Sequence, residues 1–118
     1  MNDNQTFNRL KTLLKQFEAE LTLIHDKDDN YYLNTPISDT NKKAEFFGAV
    51  QIKKSYVAFH LMPVYYYPNL LDNISQDLRD RMQGKSCFNF KEIDDKLFKE
   101  LTTLTKKSFD LYKSIKKI

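Results

Sequence analysis

A chain of 118 residues has room for one domain that buries roughly two thirds of its unfolded surface. Its 19 Lys and Arg against 16 Asp and Glu leave a net charge of +3, too weak and too interspersed to mark a nucleic-acid surface. Two Gly and three Pro argue against long flexible linkers, and a single Cys excludes an intramolecular disulfide.

Taken in order, Met1 to Gln5 is polar and has no signal-peptide pattern, and no run approaches the roughly 18 apolar residues of a membrane span. With the lone Cys87 these features set the expectation of a cytoplasmic protein. Phe7, Leu10, Leu13, Leu14 and Phe17 then follow helical spacing, extended by Leu21, with Arg9, Lys11, Lys15 and Glu18 opposite. The pattern predicts an amphipathic helix from about Thr6 to Glu20, capped by the Thr6 hydroxyl and covering its own sheet.

Leu21 to Asp26 reads as a strand, Lys27 to Asn30 as a turn, and Tyr31 to Thr35 as a second strand. Pro36 to Lys43 reads as a polar loop. The centre of the chain is Phe46 to Val64, FFGAVQIKKSYVAFHLMPV, where two runs alternate with period two around Lys53-Lys54-Ser55. So short a link makes the strands antiparallel neighbours. Parity predicts Gly48 opposite Leu61, Val50 opposite Phe59 and Ile52 opposite Val57, an apolar face. The other face then holds Phe47, Ala49, Gln51 and Lys53 against Met62, His60, Ala58 and Tyr56. A slip by one residue would mix the two faces. Lys54-Ser55 is a poor type I′ pair, and a four-residue loop keeps the same parity.

Tyr65-Tyr66-Tyr67-Pro68 reads as a loop crossing the sheet edge, followed by a helical turn at Asn69 to Asp72. Ser75 is placed to cap a helix ending at Gln83, with Leu78 and Met82 inward and Gly84 as its left-handed terminator. Ser86 to Phe90 predicts a fifth strand, with Ser86, Phe88 and Phe90 on one side and Cys87 and Asn89 on the other. Asp94 caps a last helix with the stripe Leu97, Phe98, Leu101, Leu104, Tyr112 and Ile115. Ser108 marks where that stripe drifts and a break or kink could fall.

The order α-β-β-β-β-α-β-α indicates an α+β domain over residues 1–118: an antiparallel-rich five-stranded sheet with helices packed on one face. With its hairpin, RDRMQGKSCFNF at Arg79 to Phe90 resembles the YdhG-like bacterial domain-of-unknown-function family. The shared pattern is an aromatic strand pair, a Pro, a short helix, Gly84-Lys85 leading into a strand, and a closing helix. The likeness runs from about Leu21 onward. It implies a secretion-chaperone-like α+β fold with no settled activity, and for some relatives a frataxin-like iron-carrier role. Such a role would draw on exposed carboxylates, here Asp26, Asp28 and Asp29 in one turn and Asp94 and Asp95 at a helix start.

Most chemical readings lose to simpler ones. His25 and His60 lack partners at metal-ligand spacing. Cys87 would need a nearby base, which His60 supplies only if the fourth and fifth strands pair in the right register. Gly84-Lys85 lacks the rest of a P-loop, although Lys85 with Arg79 or Arg81 could hold an anion at the sheet edge. The C-terminal lysines suit a helix dipole. No catalytic constellation, metal site or cofactor is expected, and neither nucleic acid nor membrane as a partner.

The expected function is a small binding domain taking a small or anionic ligand on the mixed sheet face. Its candidate residues are Tyr32, Phe47, Gln51, Tyr56, His60, Tyr66 and Lys85, with Tyr32 and the Tyr65–Tyr67 loop as walls. The alternatives are a homodimer or other protein contact through the same face, and the iron carrier.

Overall fold

The structure, a computed structural model, describes residues 3–39 and 42–118. Two residues of the polar N-terminus, Met1 and Asn2, and two of the expected loop, Thr40 and Asn41, lie outside the described residues. The elements are α1 (Asp3–Lys15), a 3₁₀ turn (Glu18–Glu20), β1 (Thr22–Lys27), β2 (Asn30–Asn34), β3 (Phe46–Ile52) and β4 (Val57–Leu61). They continue with α2 (Pro63–Tyr66), a 3₁₀ turn (Pro68–Leu71), α3 (Gln76–Arg79), β5 (Cys87–Phe90) and α4 (Asp95–Ser114). The strands form one five-stranded antiparallel sheet in the order β1-β2-β3-β4-β5. The fold is the expected α+β arrangement.

The central hairpin has the register that parity demands: Gly48 opposite Leu61, Val50 opposite Phe59, Ile52 opposite Val57. Neither Lys54 nor Ser55 has a positive φ, so the turn is not type I′. The Lys53 N–H donates to the Tyr56 carbonyl across it (2.8 Å). Tyr31 and Leu33 of β2 and Phe88 and Phe90 of β5 extend the apolar face, and all are essentially buried.

Helices cover that face alone. Phe7, Leu10, Leu13 and Leu14 of α1 and Leu97, Phe98, Leu101, Leu104, Phe109 and Tyr112 of α4 join the inward strand residues in one core. Gly48 lets α1 come close: a Cβ there would stand 3.0 Å from the His60 carbonyl oxygen and 3.2 Å from a Leu14 methyl. Thr105 and Ser108 are buried on α4 because their hydroxyls donate to the carbonyls of Leu101 (2.7 Å) and Leu104 (2.8 Å). The helix runs unbroken through Ser108, and Ile115 lies beyond its end, 38% exposed. Asp94 caps α4 as expected, accepting the Leu97 N–H (3.0 Å).

Several local expectations fail, the last two of them because an edge pairing outweighs a local signal. Thr6 is a buried residue inside α1 rather than its cap, since the helix begins at Asp3. The tyrosine run is not a plain loop: Pro63 starts the short helix α2. The helix capped by Ser75 stops at Arg79 instead of Gln83. Beyond it, the Asn89 N–H donates to the Arg81 carbonyl (2.8 Å) and the Gln83 N–H to the Cys87 carbonyl (2.9 Å). Residues 81–83 thereby pair with the outer edge of β5, whose backbone groups would otherwise be left open. Gly84, at φ +78°, turns the chain between these two segments and is not a helix terminator.

Ser75 has a second task. Its hydroxyl accepts the Leu78 N–H (3.1 Å) and donates to Glu100 (2.6 Å), while its backbone N–H donates to the other Glu100 oxygen (2.9 Å). The one-turn helix α3 is thus tied to α4 by charge-assisted bonds.

Candidate functional site

The sheet face away from the helices is where most of the expected site residues fall. Alternation leaves Tyr32, Gln51, His60, Cys87 and Asn89 there, all part-exposed, while their neighbours in sequence face the core. Tyr56 joins them just before β4.

Phe47 does not. Leu33 pairs with Gly48, but Asn34 pairs with Phe46, so β3 carries an extra residue at this point. Two residues then oppose one, and the strand's facing changes across the bulge. Phe47 turns inward, 0% exposed, with its ring edge-on to Phe109 (6.3 Å) and Tyr112 (5.9 Å) of α4. Phe46 takes the outer position instead, stacked on Tyr32 with ring centroids 4.6 Å apart.

The bulge completes an aromatic row. His25 stands edge-on to Tyr32 (5.7 Å), Tyr32 stacks on Phe46, and Phe46 stands edge-on to His60 (6.3 Å). These rings span β1 to β4. Beside them lie Ala49 and Ala58, buried by their taller neighbours. A polar row follows, in which Gln51 donates to Asn30 (3.2 Å), Cys87 to Asn89 (3.2 Å) and Asn89 to Gln83 (2.7 Å). Phe46 and His25 were outside the expected site. The only sequence sign of the exchange is the Phe-Phe doublet, which offers either ring to either side.

Register makes His60 and Cys87 cross-strand partners, but their electrostatics oppose thiol chemistry. Burial pushes the Cys87 thiol up, only partly offset by the Lys53 ammonium. Burial, and then Lys53, hold the His60 imidazole below its ordinary value. A neutral thiol beside a neutral imidazole is no activated nucleophile.

Tyr66 and Lys85 lie elsewhere. Tyr66 is exposed on α2, edge-on to Tyr65 (5.1 Å), and its neighbour Tyr67 meets Tyr112 edge-on (6.4 Å). The tyrosine run therefore abuts the helical layer and does not wall the open face. Lys85 sits over the Tyr65 ring (5.8 Å), beside a cleft between the Gly84 turn and α2. Other clefts lie between α1 and α4 and along the outer edge of β5.

Among the described residues no group of three or more His, Cys, Asp and Glu is placed to hold a metal ion. Asp26 is engaged by Lys11 (2.6 Å), which holds its carboxyl below the usual range. Lys106, Lys113 and Lys117 near the C-terminus pair with Asp110, Glu20 and Glu45. Among the described residues no helix is long and apolar enough to cross a membrane. Comparison of the chain with protein-family models, with curated proteins and with solved structures finds no match.

Proposed function

We propose that this chain is a protein-interaction module that pairs with a second copy of itself through the open sheet face. The observation behind this reading is the row His25, Tyr32, Phe46 and His60 on a face that no helix covers. Aromatic residues depleted of charge are what the centre of a protein interface requires. The middle of this face is neutral, with Ala49, Ala58, Gln51, Asn30 and Asn89 around the rings and Lys27 and Lys53 along one end. An identical face can meet that neutral middle without like charges opposed when the two lysine-bearing ends lie apart, as a two-fold contact allows.

Shape favours a broad partner over a small molecule. Small-ligand sites are concave, and the clefts described above are lined mainly by other residues, sharing only Tyr56 and Asn89 with the face. Five strands at about 4.8 Å spacing and five residues at about 3.3 Å give a flat area of roughly 400 Å². That is about half the 800 Å² per partner of a standard interface, so the pairing is reversible and weak. The iron-carrier role implied by the YdhG-like resemblance draws no support from Asp26 and Asp94, which are engaged by Lys11 and by the Leu97 N–H.

Sedimentation velocity tests the reading. The native chain should shift from monomer to dimer as its concentration rises into the high micromolar range, and Phe46→Glu should stay monomeric while remaining folded. A native chain that is still monomeric there ends the proposal.

A further inference from the structure

The cleft beside Lys85 points to a second site, independent of the open face. It encloses about 460 Å³ between α2, the 3₁₀ turn and the Gly84 turn. That volume lies within the range of small-ligand sites. Its floor is apolar: Val64 is 1% exposed, Leu71 is 8% exposed, and Met82 lines it with them. Tyr65 forms a wall, and Arg79 and Lys85 stand at the rim.

The two cations set the chemistry. Among the described residues neither Arg79 nor Lys85 forms an ion pair, so no carboxylate of the chain competes for this rim. The nearby Asp80 accepts from Gln76 instead (2.7 Å). One Arg79 nitrogen donates to the Leu71 carbonyl (2.7 Å), which anchors the guanidinium and leaves its remaining donors for a ligand. Lys85 lies over the Tyr65 ring at 5.8 Å, so cation and aromatic wall are held as one unit. At Gly84 a Cβ would find nothing within 4 Å, so that side of the cleft is open.

We propose that this cleft binds a small organic carboxylate with a flat apolar body. The carboxylate would take the Arg79 fork and the Lys85 ammonium, and the body would lie between the Tyr65 ring and the Val64, Leu71 and Met82 floor. Neither half suffices: an acid without a body misses the floor, and an uncharged body leaves both cations unanswered.

The probe is 1-naphthoate, titrated into the isotopically labelled chain and followed by amide resonances. Acetate and 1-naphthalenemethanol serve as half-ligands. The expected result is saturable shifts at Tyr65, Gly84 and Lys85, with both half-ligands weaker by roughly tenfold or more, as loss of a charge-assisted contact implies. Lys85→Ala should weaken naphthoate binding several-fold at unchanged melting temperature. Arg79→Lys, which keeps the charge but loses the fork, should also weaken it. Lys85→Ala decides the matter if the Arg79 variant does not fold. No saturable shift with naphthoate, equal binding of the alcohol, or undiminished binding to Lys85→Ala overturns the proposal.

Discussion

The Phe47 ring stands edge-on to the Tyr112 ring with centroids 5.9 Å apart, joining the start of β3 to the last turns of α4. Edge-to-face packing of this kind adds about 0.5–1.5 kcal/mol to the burial of the rings themselves. Its neighbour Phe46 lies on the other side of the sheet, so adjacent phenylalanines have opposite tasks.

The pair should separate cleanly in a stability measurement. Phe47→Ala removes a fully buried ring and should destabilise the fold by about 3–5 kcal/mol in urea unfolding. Phe46→Ala removes a part-exposed ring and should lose no more than about 1–2 kcal/mol. Equal losses, or the reverse ranking, would mean that the bulge does not exist.

Gly48 gives a test of the helix–sheet contact. A methyl at this position would stand 3.0 Å from the His60 carbonyl oxygen and 3.2 Å from a Leu14 methyl, so its neighbours must give by a few tenths of an ångström. Gly48→Ala should therefore destabilise by about 1–3 kcal/mol, the usual range for overpacking. An unchanged or raised melting temperature would show that α1 does not sit so close.

His60 makes stability fall on mild acidification. Its folded-state value lies below the ordinary imidazole value of about 6.5. As pH drops through that value the unfolded chain takes up a proton before the folded one does, so stability is lost there. Below the folded-state value both forms are protonated and the loss levels off. His60→Gln should remove this part of the slope on acidification below about pH 7. A slope unaltered by the substitution would contradict the burial of the ring.

Cys87 should be a slow thiol. Its hydrogen is donated to Asn89 and burial raises its pKa. Labelling with a thiol reagent at mildly alkaline pH should be much slower in the native chain than in the unfolded one. Fast native labelling would reopen thiol chemistry on this face.

The helical cap at Ser75 offers a further check. Ser75→Ala removes the acceptor of the Leu78 N–H and one of the two bonds to Glu100. The expected loss is about 1–2 kcal/mol. Glu100→Gln, which keeps the shape but not the charge, should lose less.

Several features follow from residues alone. The pairing of Val50 with Phe59 and Ile52 with Val57 needs only the period of two and the rule that the apolar side be buried, because a one-residue slip would expose it. Asp94 and Ser75 cap helices because a short acceptor side chain before an apolar periodic run satisfies orphan N–H groups wherever it occurs. These are local rules, and they leave one sheet face free of helices.

What lies on that face was decided by residues distant in the chain. Phe47 turns inward because Phe109 and Tyr112, some sixty residues later, provide a place for its ring, and β2 accepts the extra residue. Arg81 to Gln83 leave the helix because the edge of β5 has backbone groups to pair. Arg79 and Lys85 meet at one cleft only after that turn has formed. Alternation and propensity describe neighbours along the chain. A bulge, an edge pairing and a shared cleft depend on which distant partner offers the larger burial or the open hydrogen bond, and that is set only when the layers have packed.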